Sequence, residues 1–314
     1  MEGSGTIQRG RYTHDVLLHE NDGELIHATK AFVTEGLEAG GNVLVHSSED
    51  RVELFKGVLG SHPRLTYGLD QDLYLTPSST LFAYQRQLAE EPSTTDLWVT
   101  GTVPLGEDPA DHAKWARYES LVNEVLSPYP FHALCTYDTA TLPESTIAAA
   151  KATHPCISTG VERSMSTEYQ DPAGFLTDAL AEVPAPPDVR PTASMNLQRL
   201  EHLAYARSLV RRTAVASSAV ARPAIDNFVA AVNEVLVNAL LHGGAPARLV
   251  FWVEPAQLVC RVTDNGRGTC DPVAGYRYPE PDGPRGLWVA RQLCENIFVS
   301  NVPDRGCTVL LFCT

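Results

Sequence analysis

Three polar residues recur at a spacing of four within an otherwise apolar stretch of the chain. On an α-helix, Glu234, Asn238 and His242 would lie along one stripe that drifts by about 40° per step. A carboxylate and a carboxamide one turn apart in apolar surroundings can bind a metal ion and activate a hydroxyl group. The alternative is an amphipathic helix whose three polar side chains have only structural contacts, and which stops at Gly243 and Gly244.

Two glycine-containing motifs follow this stretch. Asp-x-Gly-x-Gly at 264–268 comes directly after a predicted strand, and Gly-x-x-Gly-Leu at 283–287 opens a predicted helix. Each motif alone is weak evidence, because such sequences are frequent in turns. Together with the helix they resemble the N, G1 and G2 boxes of the GHKL ATPase superfamily. The Asn-Ala-x-x-His-Gly ending at 238–243 is most similar to the bacterial anti-sigma serine kinases, and the resemblance covers 195–314.

This resemblance implies a GHKL (Bergerat) α+β sandwich that binds ATP and Mg²⁺. In such a site Asn238 would coordinate Mg²⁺, and Glu234 would be the general base that takes the proton from an attacking hydroxyl. Leu287 and Thr308 would lie on the nucleotide side, although a cross-strand surface threonine is the alternative for Thr308. His242 would be a structural or phosphate-side residue at the helix end.

The chemistry of the motif residues suits a nucleotide. Glycines at positions 266 and 268 let the backbone approach a ligand without a Cβ in the way. Asp264 can accept a hydrogen bond from the adenine amino group, which selects adenine over guanine. Gly286 begins a helix whose free N–H groups favour phosphate, and Arg285 adds charge there or is a solvated lid residue.

The predicted lid between 269 and 283 is rich in proline. Pro272, Pro279 and Pro281 lie within it, and Pro284 follows directly after it. Proline restricts the backbone, so the lid is predicted to be stiff. A stiff lid leaves catalytic turnover open and mildly favours a module that binds without reacting.

The elements that must position these motifs follow from the spacing of apolar residues. In the C-terminal part we predict helices over 198–216, 224–242 and 286–298, and strands over 247–253, 257–263, 298–301 and 307–313. Locally paired strands with flanking helices indicate an α+β sandwich.

The N-terminal part alternates strands and helices instead. We predict strands over 14–18, 42–46, 97–100 and 131–137, and helices over 22–40, 49–59 and 111–126. This order indicates an α/β domain with a largely parallel sheet covered on both faces. Its ligands would meet the carboxyl ends of the strands, at residues 19–23, 47–50 and 137–138. The first strand is not followed by GxxxxGK[ST], so ATP is not expected there.

Four short motifs in this part resemble the MEDS sensory domain of bacterial regulators. They lie at 115–119 (Trp-Ala-Arg-Tyr-Glu), 134–138 (Leu-Cys-Thr-Tyr-Asp), 153–155 (Thr-His-Pro) and 169–172 (Tyr-Gln-Asp-Pro). The resemblance covers 10–180 and implies a RecA-like fold that has lost its phosphate loop, with a sensory role. His154 is either a ligand-sensing group or a loop histidine that ends a helix.

Composition and charge indicate the domain boundaries and argue against some classes of ligand. We predict a sensory domain over 1–182, a proline-rich linker over 183–195 and an ATPase domain over 196–314. Residues 1–194 carry 12 basic and 28 acidic side chains, whereas 195–314 carry 12 Arg, no Lys and 10 acidic side chains. The acidic front half argues against direct nucleic-acid or anionic-lipid binding. With neither a long apolar run nor a secretory signal in the sequence, we expect a cytoplasmic protein without membrane contact. We also expect it to be a homodimer.

The seven cysteines form no CxxC pair, so neither a disulfide framework nor a zinc site is predicted from their spacing. Five of them lie in the C-terminal part: Cys260, Cys270, Cys294, Cys307 and Cys313. Buried apolar thiols are the preferred interpretation, with redox sensing as the alternative.

The sequence therefore predicts an ATP-dependent serine kinase and anti-sigma factor. It would phosphorylate an antagonist protein and sequester a sigma factor. One alternative is a non-catalytic module that binds ATP or a sigma factor. The other is a sensor histidine kinase with His202 as phosphoacceptor, although a second dimerisation helix is not evident around it.

Overall fold

The computed structural model describes residues 11–90, 95–180, 185–217, 220–266, 271, 273–279, 283, 285–294, 296–302 and 306–313. The chain divides after Leu176 into two compact units. Gly268, Cys270 and most of the lid prolines lie outside the described residues, so the predictions made for them stay predictions.

In its described residues the first unit is a mostly parallel α/β sheet. The strands are β1 (Tyr12–His19), β2 (Asn42–Ser47), β3 (Leu65–Leu69), β4 (Leu97–Gly101), β5 (Phe131–Asp138), β6 (Cys156–Ser158) and β7 (Arg163–Met165). The helices are α1 (Asp22–Glu38), α2 (Glu49–Leu59), α3 (Asp70–Leu73), α4 (Pro77–Glu90), α5 (Pro109–Val125), α6 (Glu144–Thr153) and, across the division, α7 (Pro172–Leu180). The strand order is β3-β2-β4-β5-β1-β6-β7, with β7 alone antiparallel to its neighbour among these strands.

The parallel sheet predicted for this unit is confirmed. Helix α2 has the predicted bounds, and the four predicted strands differ from the observed ones by two residues or fewer at each end. Strands β3, β6 and β7 and helices α3, α4, α6 and α7 were not predicted. The three strands are short, and β6 and β3 depend on pairing with β1 and β2, respectively.

The second unit is an antiparallel sheet packed against helices. Its described strands are β8 (Ala193–Leu197), β9 (Ala247–Glu254), β10 (Gln257–Thr263), β11 (Asn296–Val302) and β12 (Gly306–Cys313), in the order β11-β12-β10-β9-β8. A short 3-10 turn (Leu200–His202) leads into helices α8 (Leu203–Ser217), α9 (Arg222–His242) and α10 (Gly286–Leu293). The α+β architecture predicted for this part is confirmed.

Two predictions about this unit are corrected. The helix predicted over 286–298 ends at Leu293, because Cys294 adopts an extended conformation and Asn296 begins a strand paired with β12. The last three residues of the predicted linker, 193–195, form the start of β8 and pair with β9. In both places the sequence pattern favoured a helix or a linker. Hydrogen bonds to a neighbouring strand determine the conformation instead.

The core of the second unit lies between its helices and one face of its sheet. Buried side chains of α9 such as Phe228, Val232 and Leu236 meet inward-facing residues of the sheet such as Phe251 and Leu311. Among the described residues, α9 is also the one helix long and apolar enough to cross a membrane by length and composition alone. Its packing in this core accounts for that composition.

Candidate functional site

Helix α9 carries the polar stripe on the side away from the core. Glu234 and Asn238 are half-buried, whereas His242, one residue before the C-cap Gly243, is exposed. The stripe therefore changes from a partly enclosed surface to an exposed one along the helix. Only its first two members lie where they could line an enclosed ligand.

The start of α10 lies directly against this stripe. A Cβ at position 286 would be 3.0 Å from Asn238 Oδ1 and 3.2 Å from Glu234 Oε2. Glycine thus permits the backbone to approach both side chains closely. The first N–H groups of a helix have no partner within the helix, so the start of α10 brings free donors near the Glu234 and Asn238 side chains.

Glu234 is oriented by a contact that the sequence patterns did not indicate. The Asn233 side chain donates from Nδ2 to Glu234 Oε1 at 3.3 Å, and Arg207 of α8 donates to Asn233 Oδ1 at 2.8 Å. These contacts involve one carboxylate oxygen, and the other faces Gly286. An asparagine beside the stripe was the only signal in the sequence for this arrangement.

Asp264 lies at the end of β10 and is only 7% exposed. Its Oδ1 accepts hydrogen bonds from the backbone N–H of Gly266 at 2.9 Å and of Cys307 at 3.3 Å. Its carboxylate also lies against the backbone of Gly243, where a Cβ would overlap it. These contacts fix the carboxylate and join the end of α9 to the ends of β10 and β12.

The glycines around Asp264 are required by close backbone contacts. A Cβ on Gly266 would be 2.5 Å from the Cα of Gly243. Gly306 has φ +87°, and a Cβ there would overlap the carbonyl of Asp264. Only glycine fits at such contacts, so the backbone on this side of the site is closely packed.

Thr308 is the partner of Thr263 in the β10–β12 ladder. The two hydroxyl oxygens are 3.5 Å apart, at the limit of a hydrogen bond. Thr308 is half-buried and lies one residue from Cys307, whose N–H contacts Asp264. It is thus near the Asp264 end of the site, and both interpretations of its role remain open.

The other motif residues lie in different surroundings. Arg285 is the exposed N-cap of α10, next to the convergence of Gly286, Asn238 and Glu234. The Leu287 side chain packs against the core and against Gly275, where a Cβ would be 2.7 Å from Leu287 Cγ. Leu287 therefore has a packing contact in addition to any part in the predicted nucleotide site.

A buried arginine on α10 was missed by the sequence analysis. Arg291 is 5% exposed and donates to the Ala274 carbonyl at 3.1 Å, the Tyr276 hydroxyl at 2.8 Å and the Ile297 carbonyl at 2.9 Å. Its guanidinium also lies 3.8 Å from the centre of the Tyr276 ring, a cation–π contact. It thus joins Ala274 and Tyr276 of the predicted lid to α10. A lone basic residue in an apolar helix was its only signal.

The described cysteines of this unit are free thiols in apolar surroundings. Cys260, Cys294, Cys307 and Cys313 are all buried. Burial, with a smaller contribution from the Asp264 charge, raises the pKa of Cys307 to about 11. A thiol with such a pKa is protonated near neutral pH. The predicted burial is confirmed for these four cysteines.

In the first unit, the predicted ligand-binding edge forms at the carboxyl ends of the strands. His19 and Asp138 are direct partners in the β1–β5 ladder. A small cleft, about 200 Å³ including its open side, lies beside this edge, lined by residues that include His46, Ser47 and Thr136. Burial lowers the pKa of both His19 and His46, which are neutral near pH 7.

Two regions of the chain match known domain families. Residues 13–155 match the family model described as MEDS, the methanogen/methylotroph, DcmR sensory domain. Residues 197–313 match the histidine kinase-like ATPase domain. The search of curated proteins found no match.

Solved structures give distant similarities. The RsbU and RsbW domains of a Mycobacterium tuberculosis protein are 19% identical with a TM-score of 0.30, over 40% of this chain and 31% of that chain. The histidine kinase domain of a blue-light activated histidine kinase from Erythrobacter litoralis is 20% identical with a TM-score of 0.24, over 45% of this chain and 77% of that chain. This chain therefore spans less than a third of the length of the first of these structures.

Proposed function

Because the chain joins a MEDS sensory domain to a histidine kinase-like ATPase domain, we propose that it is a regulatory protein-serine kinase. In this proposal it acts in the cytoplasm as a homodimer. It binds ATP with Mg²⁺, phosphorylates a serine of an antagonist protein and, in its other state, sequesters a sigma factor.

One observation carries the proposal: the convergence of Glu234, Asn238 and the start of α10 at Gly286. A carboxylate, a carboxamide oxygen and free helix N–H groups are the groups needed for a proton, a hard cation and a phosphate, respectively. The glycine at position 286 lets the start of α10 lie close to both polar side chains, which supports a shared site.

The proposed roles follow from the position of each group. Asn238 would bind Mg²⁺ together with phosphate oxygens, and the free N–H groups at Gly286 with the Arg285 charge would bind the phosphates. The free lone pairs of Asp264 would accept from the adenine amino group. Thr308, and Gly268 outside the described residues, would complete the nucleotide side.

The transfer step uses Glu234. Its carboxylate takes the proton from the serine hydroxyl of the antagonist, and the serine oxygen attacks the γ-phosphorus of ATP. The bond between that phosphorus and the oxygen bridging to the β-phosphate breaks, and ADP leaves. Mg²⁺ held by Asn238 would supply positive charge at the phosphate oxygens, and the N–H groups at the start of α10 would add to it.

The test separates binding from transfer. Titration calorimetry with ATP–Mg²⁺ on the full chain is expected to detect binding that Asn238→Ala weakens at least tenfold and Glu234→Gln largely preserves. Incubation with labelled ATP and candidate antagonist proteins is then expected to give acid-stable label that is lost in Glu234→Gln and kept in Glu201→Gln, a change at an exposed acid. A chain that does not bind ATP–Mg²⁺ would contradict the proposal.

The same experiment distinguishes the alternatives. Acid-labile label on the chain itself would favour a histidine kinase, and binding without transfer to any protein would favour a non-catalytic module. His202 lies in the 3-10 turn, where its Nδ1 accepts a hydrogen bond from the Gln198 N–H at 3.2 Å. We favour the serine kinase over the histidine kinase because the sequence around His202 does not indicate a second dimerisation helix.

A further inference from the structure

Four side chains that commonly bind transition metals meet inside the first unit. They are His14 on β1, Glu119 on α5, Cys135 on β5 and His154 at the C-cap of α6. One ligand atom from each lies within 4.8 Å of all the others. The His14, Glu119 and His154 side chains are at most 1% exposed, and Cys135 is partly buried.

Four of the six distances between these atoms are close to the edges of a metal-centred tetrahedron, and the other two are at most 4.8 Å. His14 Nε2 is 3.1 Å from Glu119 Oε2 and 3.4 Å from Cys135 Sγ, and Glu119 Oε2 is 3.6 Å from Cys135 Sγ and 3.7 Å from His154 Nε2. Around a tetrahedral Zn²⁺, the bond lengths to N, O and S put neighbouring ligand atoms about 3.3–3.6 Å apart. The side chains therefore already stand near the separations that one shared ion requires.

The Nδ1 atom of each histidine contacts a carbonyl oxygen outside the cluster. His14 Nδ1 lies 3.0 Å from the Asn123 side-chain oxygen, and His154 Nδ1 lies 2.7 Å from the Ala150 carbonyl. Asn123 is oriented by its Nδ2, which donates to the Thr153 carbonyl at 2.6 Å. Both Nδ1 atoms must then carry hydrogen, which leaves the lone pair of each Nε2 directed at the other ligands. Metal-binding histidines are typically held in this way.

Hydrogen bonds alone do not satisfy this cluster. The Cys135 thiol could donate to the Glu119 carboxylate. His154 Nε2 nevertheless has no hydrogen-bond partner, although it is fully buried. A buried nitrogen lone pair facing a carboxylate without a donor between them is unfavourable.

We propose that His14, Glu119, Cys135 and His154 bind one Zn²⁺ ion in a closed, four-ligand site. The ligand atoms are His14 Nε2, Glu119 Oε2, Cys135 Sγ and His154 Nε2. The Tyr137 hydroxyl donates to the other Glu119 oxygen, Oε1, at 3.3 Å. Zn²⁺ satisfies the His154 lone pair, and the Cys135 thiol gives up its proton to solvent when it binds. Imidazole and thiolate ligands select zinc over Mg²⁺ or Ca²⁺.

Four protein ligands fill the tetrahedral shell of the ion. A catalytic zinc site keeps one position for water or substrate, whereas a closed site does not. We therefore assign this site a metal-binding role and not a catalytic one. The site gives the first unit a chemical function that is separate from the nucleotide site proposed for the second.

The experiment uses the untagged full chain. After removal of metal with EDTA and dialysis, titration with Zn²⁺ is expected to give one tight equivalent per chain, measured by mass spectrometry of the bound metal. Co²⁺ in place of Zn²⁺ is expected to give the visible bands of a tetrahedral site and a thiolate-to-cobalt charge-transfer band. The charge-transfer band tests Cys135 in the wild-type chain, independently of whether a variant folds.

Matched variants locate the site. Cys135→Ser is expected to lose the charge-transfer band, and His154→Ala is expected to weaken Zn²⁺ binding at least tenfold. Cys156→Ser changes a buried cysteine outside the cluster and is expected to leave both unchanged. Circular dichroism verifies that each variant is folded. A folded wild-type chain without the charge-transfer band, or equal effects of Cys135→Ser and Cys156→Ser, would overturn the proposal.

Discussion

At the scale of single residues, Gly286 is the most constrained position of the proposed nucleotide site. It lies between α10 and the two polar side chains of α9, and any Cβ would come within about 3 Å of both. The ends of the Asn238 and Glu234 side chains can rotate away from such a group. A larger residue would therefore displace the proposed Mg²⁺ ligand and base while the backbone stays in place.

We expect Gly286→Ala to separate binding from stability. Alanine favours a helix over glycine, so the free energy of unfolding should change by no more than about 1 kcal/mol. Affinity for ATP–Mg²⁺ should fall by about tenfold or more, a loss of about 1.4 kcal/mol. Titration calorimetry measures the affinity, and thermal denaturation measures the stability.

Gly57→Ala is the matched control, because a Cβ at that helical glycine of α2 would contact nothing within 4 Å. It should leave ATP–Mg²⁺ affinity unchanged. Equal affinities of the wild type and Gly286→Ala would show that Asn238 and Glu234 are not held by this contact.

The residues that carry the proposed nucleotide site could be predicted because their signals are local. Glu234, Asn238 and Gly286 follow from spacing within short segments, and the structure brings them together. Arg291 and Asn233 could not be predicted, because their roles depend on partners far along the chain or on another element. A local pattern identifies a helix face but does not identify what packs on it.

The same limit applies to the cluster in the first unit. His154 was predicted as either a ligand or a helix-ending histidine, and it does occupy the C-cap of α6. Cys135 and Glu119 lay in motifs that supported only a family resemblance. Their meeting with His14 requires β1 to pair with β5 and α5 to pack nearby, which spacing along the sequence does not encode.

At the scale of elements, the eight residues of α10 make two kinds of contact. Its first turn faces Glu234 and Asn238, and Arg291, near its end, holds the lid. The predicted stiffness of the lid rested on its prolines. In the described part of the lid, hydrogen bonds from the Arg291 guanidinium add a restraint that the prolines did not indicate.

We expect Arg291→Met to release the lid from α10. Methionine fills much of the same volume but cannot donate to Ala274, Tyr276 or Ile297. Because these hydrogen bonds come from a buried charged group, we expect a loss of about 2–4 kcal/mol in local stability. Hydrogen exchange of the amides in residues 273–279 of the full chain should increase accordingly.

Arg277→Met tests the exposed arginine of the same lid. Its ion pair with Asp271 spans 2.8 Å, but both side chains are largely exposed. Removing it should change local stability by less than about 1 kcal/mol. Similar exchange rates in both variants would mean that Arg291 is not the anchor.

At the scale of the whole molecule, the two units carry different kinds of chemistry. The first unit has a buried cluster of nitrogen, oxygen and sulfur ligands, and the second has a half-buried edge suited to Mg²⁺ and phosphate. We therefore expect the first unit to bind the softer cation, Zn²⁺, and the second unit to bind the harder cation, Mg²⁺.

We expect each ligand to stabilise the unit that contains its site. A ligand at 100 times its Kd adds about 2.7 kcal/mol to the stability of the folded state. For units of this size, such a gain corresponds to a rise of roughly 5–15 °C in Tm. Scanning calorimetry of the full chain should show one transition that Zn²⁺ raises and a second that ATP–Mg²⁺ raises.

Two variants assign these transitions to the proposed sites. Cys135→Ser should abolish the shift caused by Zn²⁺ and keep the shift caused by ATP–Mg²⁺, whereas Asn238→Ala should do the reverse. The comparison depends on differences between matched chains, so it does not require reversible unfolding. If ATP–Mg²⁺ raised only the transition that Zn²⁺ also raises, the nucleotide would bind in the first unit, and the assignment of Asn238 would be wrong.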